Sequence, residues 1–273
     1  MSLLTTDSSK CRRCGICKTV CPMAIIETNS EGYPFVAEEN EPFCALCGHC
    51  EVSCSASAFK HLRLPEMKAI RRDKILEINP ENLSEYFSSR RSIRTFMPQT
   101  VDRPTLEKIF ETVRYSPTGI NQQQNKWIII SNPERIRQLS GAVIDWMKTM
   151  VAAQAELAIF LNFAGLVSKY EQGEDVICRE AGNLIIGYTD ASYTGGVIDS
   201  VIATAHLELL LPTYGLGGCW AGFVMIALGY SQAVRDVVGL NESHAVRSAL
   251  MVGYPKYSYY KLPHRNAAEI EWL

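Results

Sequence analysis

One cysteine spacing occurs twice near the start of this chain, as Cys11-x2-Cys14-x2-Cys17-x3-Cys21-Pro22 and again as Cys44-x2-Cys47-x2-Cys50-x3-Cys54. Eight of the ten cysteines therefore lie within the first 54 of 273 residues, while Cys178 and Cys219 stand alone. A disulfide scaffold of that density belongs to a much shorter secreted chain, so the clustering points to metal. Zinc takes four thiolates as two CxxC pairs in a tetrahedron. Two regular CxxCxxCxxxC runs instead match the spacing at which three close thiolates occupy three iron corners of a cubane. His49 lies between two of these thiols and is not needed as a ligand. The first residues, MSLLTTDSSKCRRC, show no apolar signal-peptide run, and the expected compartment is a reducing cytoplasm.

The doubled run resembles the two-cluster bacterial ferredoxins over about residues 7–62, with Ser55 where those proteins usually carry proline after the second run. That proline shapes a turn and ligates nothing. The resemblance implies that the fourth cysteine of each run ligates the other cluster. One [4Fe-4S] cluster would take Cys11, Cys14, Cys17 and Cys54, and the other Cys44, Cys47, Cys50 and Cys21. Such clusters carry single electrons, and a pair fused to a larger domain reads as a wire that needs a redox cofactor at its far end.

The expected organisation is a cysteine-rich module over 1–62, a connector over 63–80 rich in Lys and Arg and ending at Asn79-Pro80, and a larger domain over 81–273. In that domain Asn82 to Ser89 reads as a helix. Asp102 caps a second helix on which Leu106, Ile109, Phe110 and Val113 recur until Ser116-Pro117. Trp127 to Ile130 and Leu184 to Tyr188 read as strands, and Pro133 to about Met150 and Val197 to Leu211 as helices. The mixture, without a regular βαβ repeat, predicts an α+β layer fold. Leu209 to Val234 contains no charged residue, but Pro212 and five glycines cut it into pieces too short to span a bilayer. A net charge of -2 gives no reason to expect nucleic acid or an anionic membrane as a partner.

Three further segments carry chemistry. Arg90-Arg91-Ser92-Ile93-Arg94 sets guanidinium forks beside a hydroxyl, a combination suited to phosphate oxygens. Pro117-Thr118-Gly119-Ile120-Asn121-Gln122-Gln123 offers amide and hydroxyl donors and acceptors beside a permissive glycine. Gly215-Leu216-Gly217-Gly218-Cys219-Trp220-Ala221-Gly222 leaves backbone amides little obstructed. In this order they resemble the R-x-S-x-R/K, P-T-G-x-N-x-Q and G-x-x-x-C-W-x-G segments of the nitroreductase family, a group of FMN enzymes, over about residues 82–273.

That resemblance implies an α/β sandwich built as an intertwined homodimer with FMN at the subunit interface. Arg90, Arg91, Ser92 and Arg94 would hold the phosphate and ribityl chain. Asn121 and Gln123 would contact polar flavin atoms, with Pro117, Thr118 and Gly119 alongside, and Ala221 and Gly222 would aim N–H groups at the N5/O4 edge. Lys261 stands where the family more often has arginine, returning to the phosphate, and Arg265 shares that role. The segment from about Met150 to Arg179 would cover the substrate face, with Trp146, Tyr170 and Tyr193 as pocket or core aromatics. No side chain is nominated as a catalytic acid, and Cys178 and Cys219 read as apolar fillers.

The function implied is an iron-sulfur flavoprotein oxidoreductase. Electrons would pass from ferredoxin or NAD(P)H through two clusters to FMN and on to a small organic acceptor such as a nitro or quinone compound. An electron carrier without its own substrate, and a reductive dehalogenase, are the alternatives. No GxGxxG dinucleotide fingerprint follows a strand.

Overall fold

The computed structural model describes residues 3–67, 70 and 72–273. Positions 68, 69 and 71 of the expected connector, and Met1 and Ser2 of the expected module, lie outside the described residues. The chain separates into two compact units, Met1–Glu77 with Gly119–Gln122, and Ile78–Thr118 with Gln123–Leu273.

In the first unit the elements are very short: β1 (Leu4–Thr6), α1 (Ile16–Thr19), β2 (Glu27–Thr28), β3 (Pro34–Phe35), α2 (His49–Val52), β4 (Phe59–His61) and α3 (Arg72–Leu76). β1 pairs antiparallel with β4, and β2 with β3. The backbone repeats like the cysteines, each of which recurs 33 positions on (11→44, 14→47, 17→50, 21→54). Arg13 and Leu46, Gly15 and Gly48, and Ala24 and Ser57 are matching pairs of left-handed residues at that same offset. Gly15 (φ 73°) and Gly48 (φ 72°) lead into α1 and α2, which carry Cys17 and Cys50. A left-handed residue is needed there to turn the loop back on itself, and glycine takes that conformation at no steric cost. The buried apolar set is small: Leu3, Leu4, Ile25, Ile26 and Phe59, completed by Cys50.

The second unit is a three-layer sandwich. Its strands β5 (Lys126–Ile130), β6 (Asn183–Asp190), β7 (Gly217–Trp220) and β8 (His244–Gly253) form one antiparallel sheet in the order β5-β6-β8-β7. The central strands are buried on both faces and so read as continuous apolar runs. Leu184 and Ile186 of β6 and Ala249 and Met251 of β8 face one core, while Ile185, Leu250 and Val252 face the other. The first core is closed by α6 (Pro133–Ala152), α8 (Phe163–Glu171), α10 (Gly222–Tyr230) and α11 (Gln232–Val238). The second is closed by α5 (Arg103–Val113) and α9 (Gly196–Leu210). Two further helices are α4 (Pro80–Ser89) and α7 (Glu156–Phe160).

Local chemistry explains these boundaries. Asn79, Asp102 and Asn132 each accept first-turn N–H bonds at the starts of α4, α5 and α6, and each is followed by proline at the helix's first or second position. Among the described residues one helix, Gly196–Tyr214 including its 3-10 extension, is long and apolar enough to cross a membrane. It buries Asp199, Thr204 and Glu208 with its apolar residues. The uncharged run beyond it is divided between β7 and the nine-residue α10.

Candidate functional site

The first unit brings its eight thiols together in two cavities. One is lined by Cys11, Cys14, Cys17 and Cys54, the other by Cys21, Cys44, Cys47 and Cys50. The fourth cysteine of each run thus lies with the first three of the other, and Leu3, Ile25, Ile26 and Phe59 supply apolar walls. Among the described residues no three His, Cys, Asp or Glu side chains are grouped closely enough for a single metal ion. A cubane spreads its four thiolates more widely, and its sulfurs accept N–H donors, so this donor set fits a cluster. Ala58 N–H donates to Cys54 Sγ at 3.3 Å. Burial pushes the Cys50 thiol up to about 11 and raises Cys17 and Cys44 as well. Ligation therefore has to displace protons from these thiols.

His61, which sequence reasoning passed over, is 1% exposed at the end of β4. Its ring nitrogen Nε2 lies 3.5 Å from Cys44 Sγ. Arg63 N–H donates to its Nδ1 at 3.2 Å, and its own N–H donates to Glu51 Oε2 at 2.7 Å. Burial lowers its pKa and favours the neutral imidazole. No local motif marks it; only the strand pairing brings it to the cavity.

In the second unit the Arg90–Arg94 segment runs between two strand-like partners. Ile93 N–H donates to Gly218 O of β7 at 2.9 Å, and Met97 N–H to Tyr254 O at 2.8 Å. Lys256 N–H returns to Thr95 O at 3.1 Å. Gly217 has to be glycine because a Cβ there would run into the Ile93 side chain. Three distant pieces of sequence, around positions 93, 217 and 255, are thereby fixed side by side. Arg90 Nη1 is paired at 2.9 Å with buried Glu208 Oε1, whose other oxygen accepts from Trp220 Nε1 at 3.2 Å. Arg91 donates to the Arg90 carbonyl, and Arg94 Nη1 lies 3.5 Å from Ser92 O.

Other nominated residues are placed as follows. Gln123 N–H donates to Thr118 Oγ1 at 3.1 Å, closing the loop after Pro117, and both residues line a cleft of about 280 Å³ with Ser116, Asn125 and Trp127. Residues 119–122 cluster with the first unit, where the Asn121 amide donates to the carbonyls of Ala45 and Leu46 at 3.2 and 3.0 Å. The donor expected to meet flavin is thus engaged with backbone. The Ala221 N–H is likewise taken, by Ala249 O at 2.8 Å, because the residue continues the β7 pairing before α10 begins. Gly222, the first residue of α10, has open space where a Cβ would stand. Lys261 and Arg265 lie in the exposed tail after β8. Among the described residues neither bonds to the Arg90–Arg94 segment, and Arg265 donates to the His264 carbonyl at 2.9 Å.

The lone thiols are inert by environment. Burial pushes Cys178 up to about 12 and also raises Cys219, against an opposing pull from Arg94 and Arg179. Trp146 belongs to the core, packed edge-on to Phe163 at 5.5 Å. Tyr193 donates to the Asp199 carboxylate, which pushes its phenol up to about 12. Tyr170 lines a wider cleft of about 640 Å³ with Arg137, Asp175 and Lys256.

Residues 87–254 match the model of the Nitroreductase family, well over half of the chain. This chain belongs to the nitroreductase family. It is an oxidoreductase, and a 4Fe-4S binding domain model matches its residues 4–27. Among curated proteins this family member is similar to a putative NADH dehydrogenase/NAD(P)H nitroreductase of Archaeoglobus fulgidus, at 25% identity over 168 residues, covering 62% of this chain and 82% of that protein. Among solved structures it is similar to a nitroreductase with bound FMN from Bacteroides fragilis (17% identity, TM-score 0.56, 72% of this chain and 100% of the other). A nitroreductase with bound FMN from Desulfitobacterium hafniense is similar to the same extent (17% identity, TM-score 0.55, 71% and 100%). These likenesses establish the nitroreductase fold of the second unit.

Sequence reasoning overlooked Glu208, which orients Arg90 and the Trp220 indole together, because its partners lie 118 and 12 positions away. An acidic residue in a largely apolar helix is the available signal, since burial without a partner is costly.

Proposed function

We propose that this nitroreductase-family protein is an iron-sulfur flavoprotein oxidoreductase in which 1–62 is a ferredoxin-like module holding two [4Fe-4S] clusters, 63–80 a connector and 81–273 an FMN-binding domain. The observation that carries the reading is the convergence of two interleaved sets of four thiols on separate cavities. When bound, the clusters supply one-electron transfer and FMN supplies the exchange between single electrons and a hydride.

The protein's own residues then have distinct tasks. Arg91, Ser92 and Arg94 bind the FMN phosphate and ribityl chain, and Arg90 joins them while held by Glu208. Thr118 and Gln123, with Pro117 and Gly119, shape the polar loop beside the flavin. Gly222 presents an N–H at the start of α10, where the helix leaves first-turn donors unpaired. Asn121 and Ala221 serve through backbone and position, since their donors are already engaged. Lys261 and Arg265 reach phosphate only once the tail is reordered, and an intertwined homodimer supplies the occasion. The apolar surface of α9 (Val197, Ile198, Val201) and the exposed aromatics of the tail (Tyr257, Tyr260, Trp272) support that assembly.

The donor is reduced ferredoxin or NAD(P)H, and the acceptor a nitro or quinone compound. Anaerobic protein is mixed in turn with NADH, NADPH and reduced ferredoxin, then with a nitroaromatic or a quinone. Flavin absorbance is expected to bleach with one donor and return with an acceptor at a rate matching turnover. Bleaching without reoxidation by any small acceptor would assign the protein as an electron carrier instead.

A further inference from the structure

The two halves of the first unit repeat at an offset of 33 residues, and at that offset His61 corresponds to Thr28 and Glu51 to Lys18. The repeat is therefore broken at a residue that stands beside a nominated ligand. In the second half Glu51 accepts the His61 backbone N–H, and Arg63 N–H occupies His61 Nδ1. An Nδ1 that accepts carries no proton, so the neutral ring holds its hydrogen on Nε2, 3.5 Å from Cys44 Sγ. In the first half Thr28 lines the cavity of Cys11, Cys14, Cys17 and Cys54 and brings no ring donor.

We propose that His61 is a tuning residue, donating its Nε2–H to the Cys44 sulfur and raising the reduction potential of the cluster at Cys21, Cys44, Cys47 and Cys50 above its untuned value, so that the two clusters are unequal steps for an electron. The proposal rests on the two-cluster reading above. The physical cause is differential stabilisation. A cluster that gains an electron puts more negative charge on its sulfurs, and an N–H aimed at one of them is a stronger bond in that state. Because His61 is fixed from both sides by Glu51 and Arg63, its donor is already oriented and needs no rearrangement.

Iron content is measured first on the full-length protein, which separates failure of the two-cluster reading from failure of this inference. Protein with about eight irons is then titrated electrochemically under EPR detection, as wild type and as His61→Leu. The expected result is that one of two midpoint potentials falls, by a three- to tenfold change in its reduction equilibrium, tenfold being 59 mV for one electron, while the other stays in place. Two unchanged potentials, or two that move equally, would overturn the assignment. If His61→Leu loses iron, His49→Gln protein labelled with 15N-histidine decides by pulsed EPR, because His49 lies between two nominated ligands of the same cluster. A weak 15N coupling to one reduced cluster supports the bond, and no coupling to either overturns it.

Discussion

The two units of this chain solve the problem of staying folded in opposite ways. The first has strands of two or three residues, α-helices of four or five, and, among the described residues, a buried apolar cluster of six. Ile16, Phe35, Phe43 and Val52 remain exposed around it. The second has a four-stranded sheet buried on both faces between helical layers, with Leu184, Ile185, Ile186, Leu207 and Met147 fully enclosed. A unit with so small a core needs a cross-link of some other kind, and on the proposed reading inorganic clusters would provide it through the same thiols that would carry electrons. Function and stability are therefore joined in the first unit and separable in the second.

Removal of one nominated thiolate has the largest expected effect. Cys50→Ser is expected to lower iron from about eight to about four or fewer per chain and to destabilise the first unit, while the second keeps its melting transition. Iron analysis and calorimetry on the same sample check both halves. The converse is Leu184→Ala in β6. Loss of this fully buried side chain should cost about 3 kcal/mol in the second unit while cluster absorbance at low temperature is unchanged.

The arginine segment sharpens the contrast further. Arg90→Ala is expected to weaken FMN binding about tenfold or more, and also to lower stability because Glu208 loses its partner. Glu208→Gln should cost about 2 kcal/mol in stability yet leave FMN binding within about threefold. Fluorescence titration with FMN, run beside thermal melts, separates these outcomes. If both variants bind FMN normally, Arg90 is a structural partner of Glu208 alone.

The smallest expected effect concerns a helix start. Asp102 accepts the Thr105 N–H at 2.9 Å, and that bond, with a second to the Thr105 hydroxyl, lowers its carboxyl pKa. A carboxyl lowered on folding stabilises above its unfolded pKa, and the contribution disappears as pH falls through the folded value. Asp102→Ala should lower the melting temperature of the second unit by roughly 2–4 °C at pH 7, with the gap closing as pH falls below the usual carboxylate range.

The difference between the units also explains what was legible in the sequence. In the first, spacing alone marks the eight thiols that the structure gathers around two cavities. Its secondary structure is invisible, since two-residue strands such as Pro34–Phe35 carry no periodicity. In the second, α5 and α6 are visible from caps and apolar spacing, and the predicted strand at 184–188 proves to be the middle of β6. β7 and β8 are not visible. Gly217-Gly218 reads as a flexible glycine run, but those glycines are strand residues pressed against Ile93 and Leu211. The partners of the Asn121 and Ala221 donors are not legible in the sequence for a related reason. Which backbone carbonyl occupies an N–H depends on pairings 28 and 76 positions away, as with Ala249 and Ala45.

On the proposed reading, two interleaved sets of four thiols hold two cubane clusters in a chain that also binds FMN. Iron, acid-labile sulfide and flavin measured together on anaerobically purified protein test it most directly. About eight irons, about eight sulfides and about one FMN per chain are expected. Zinc in place of iron, no more than about four irons in fully reconstituted protein, or no retained FMN would contradict it.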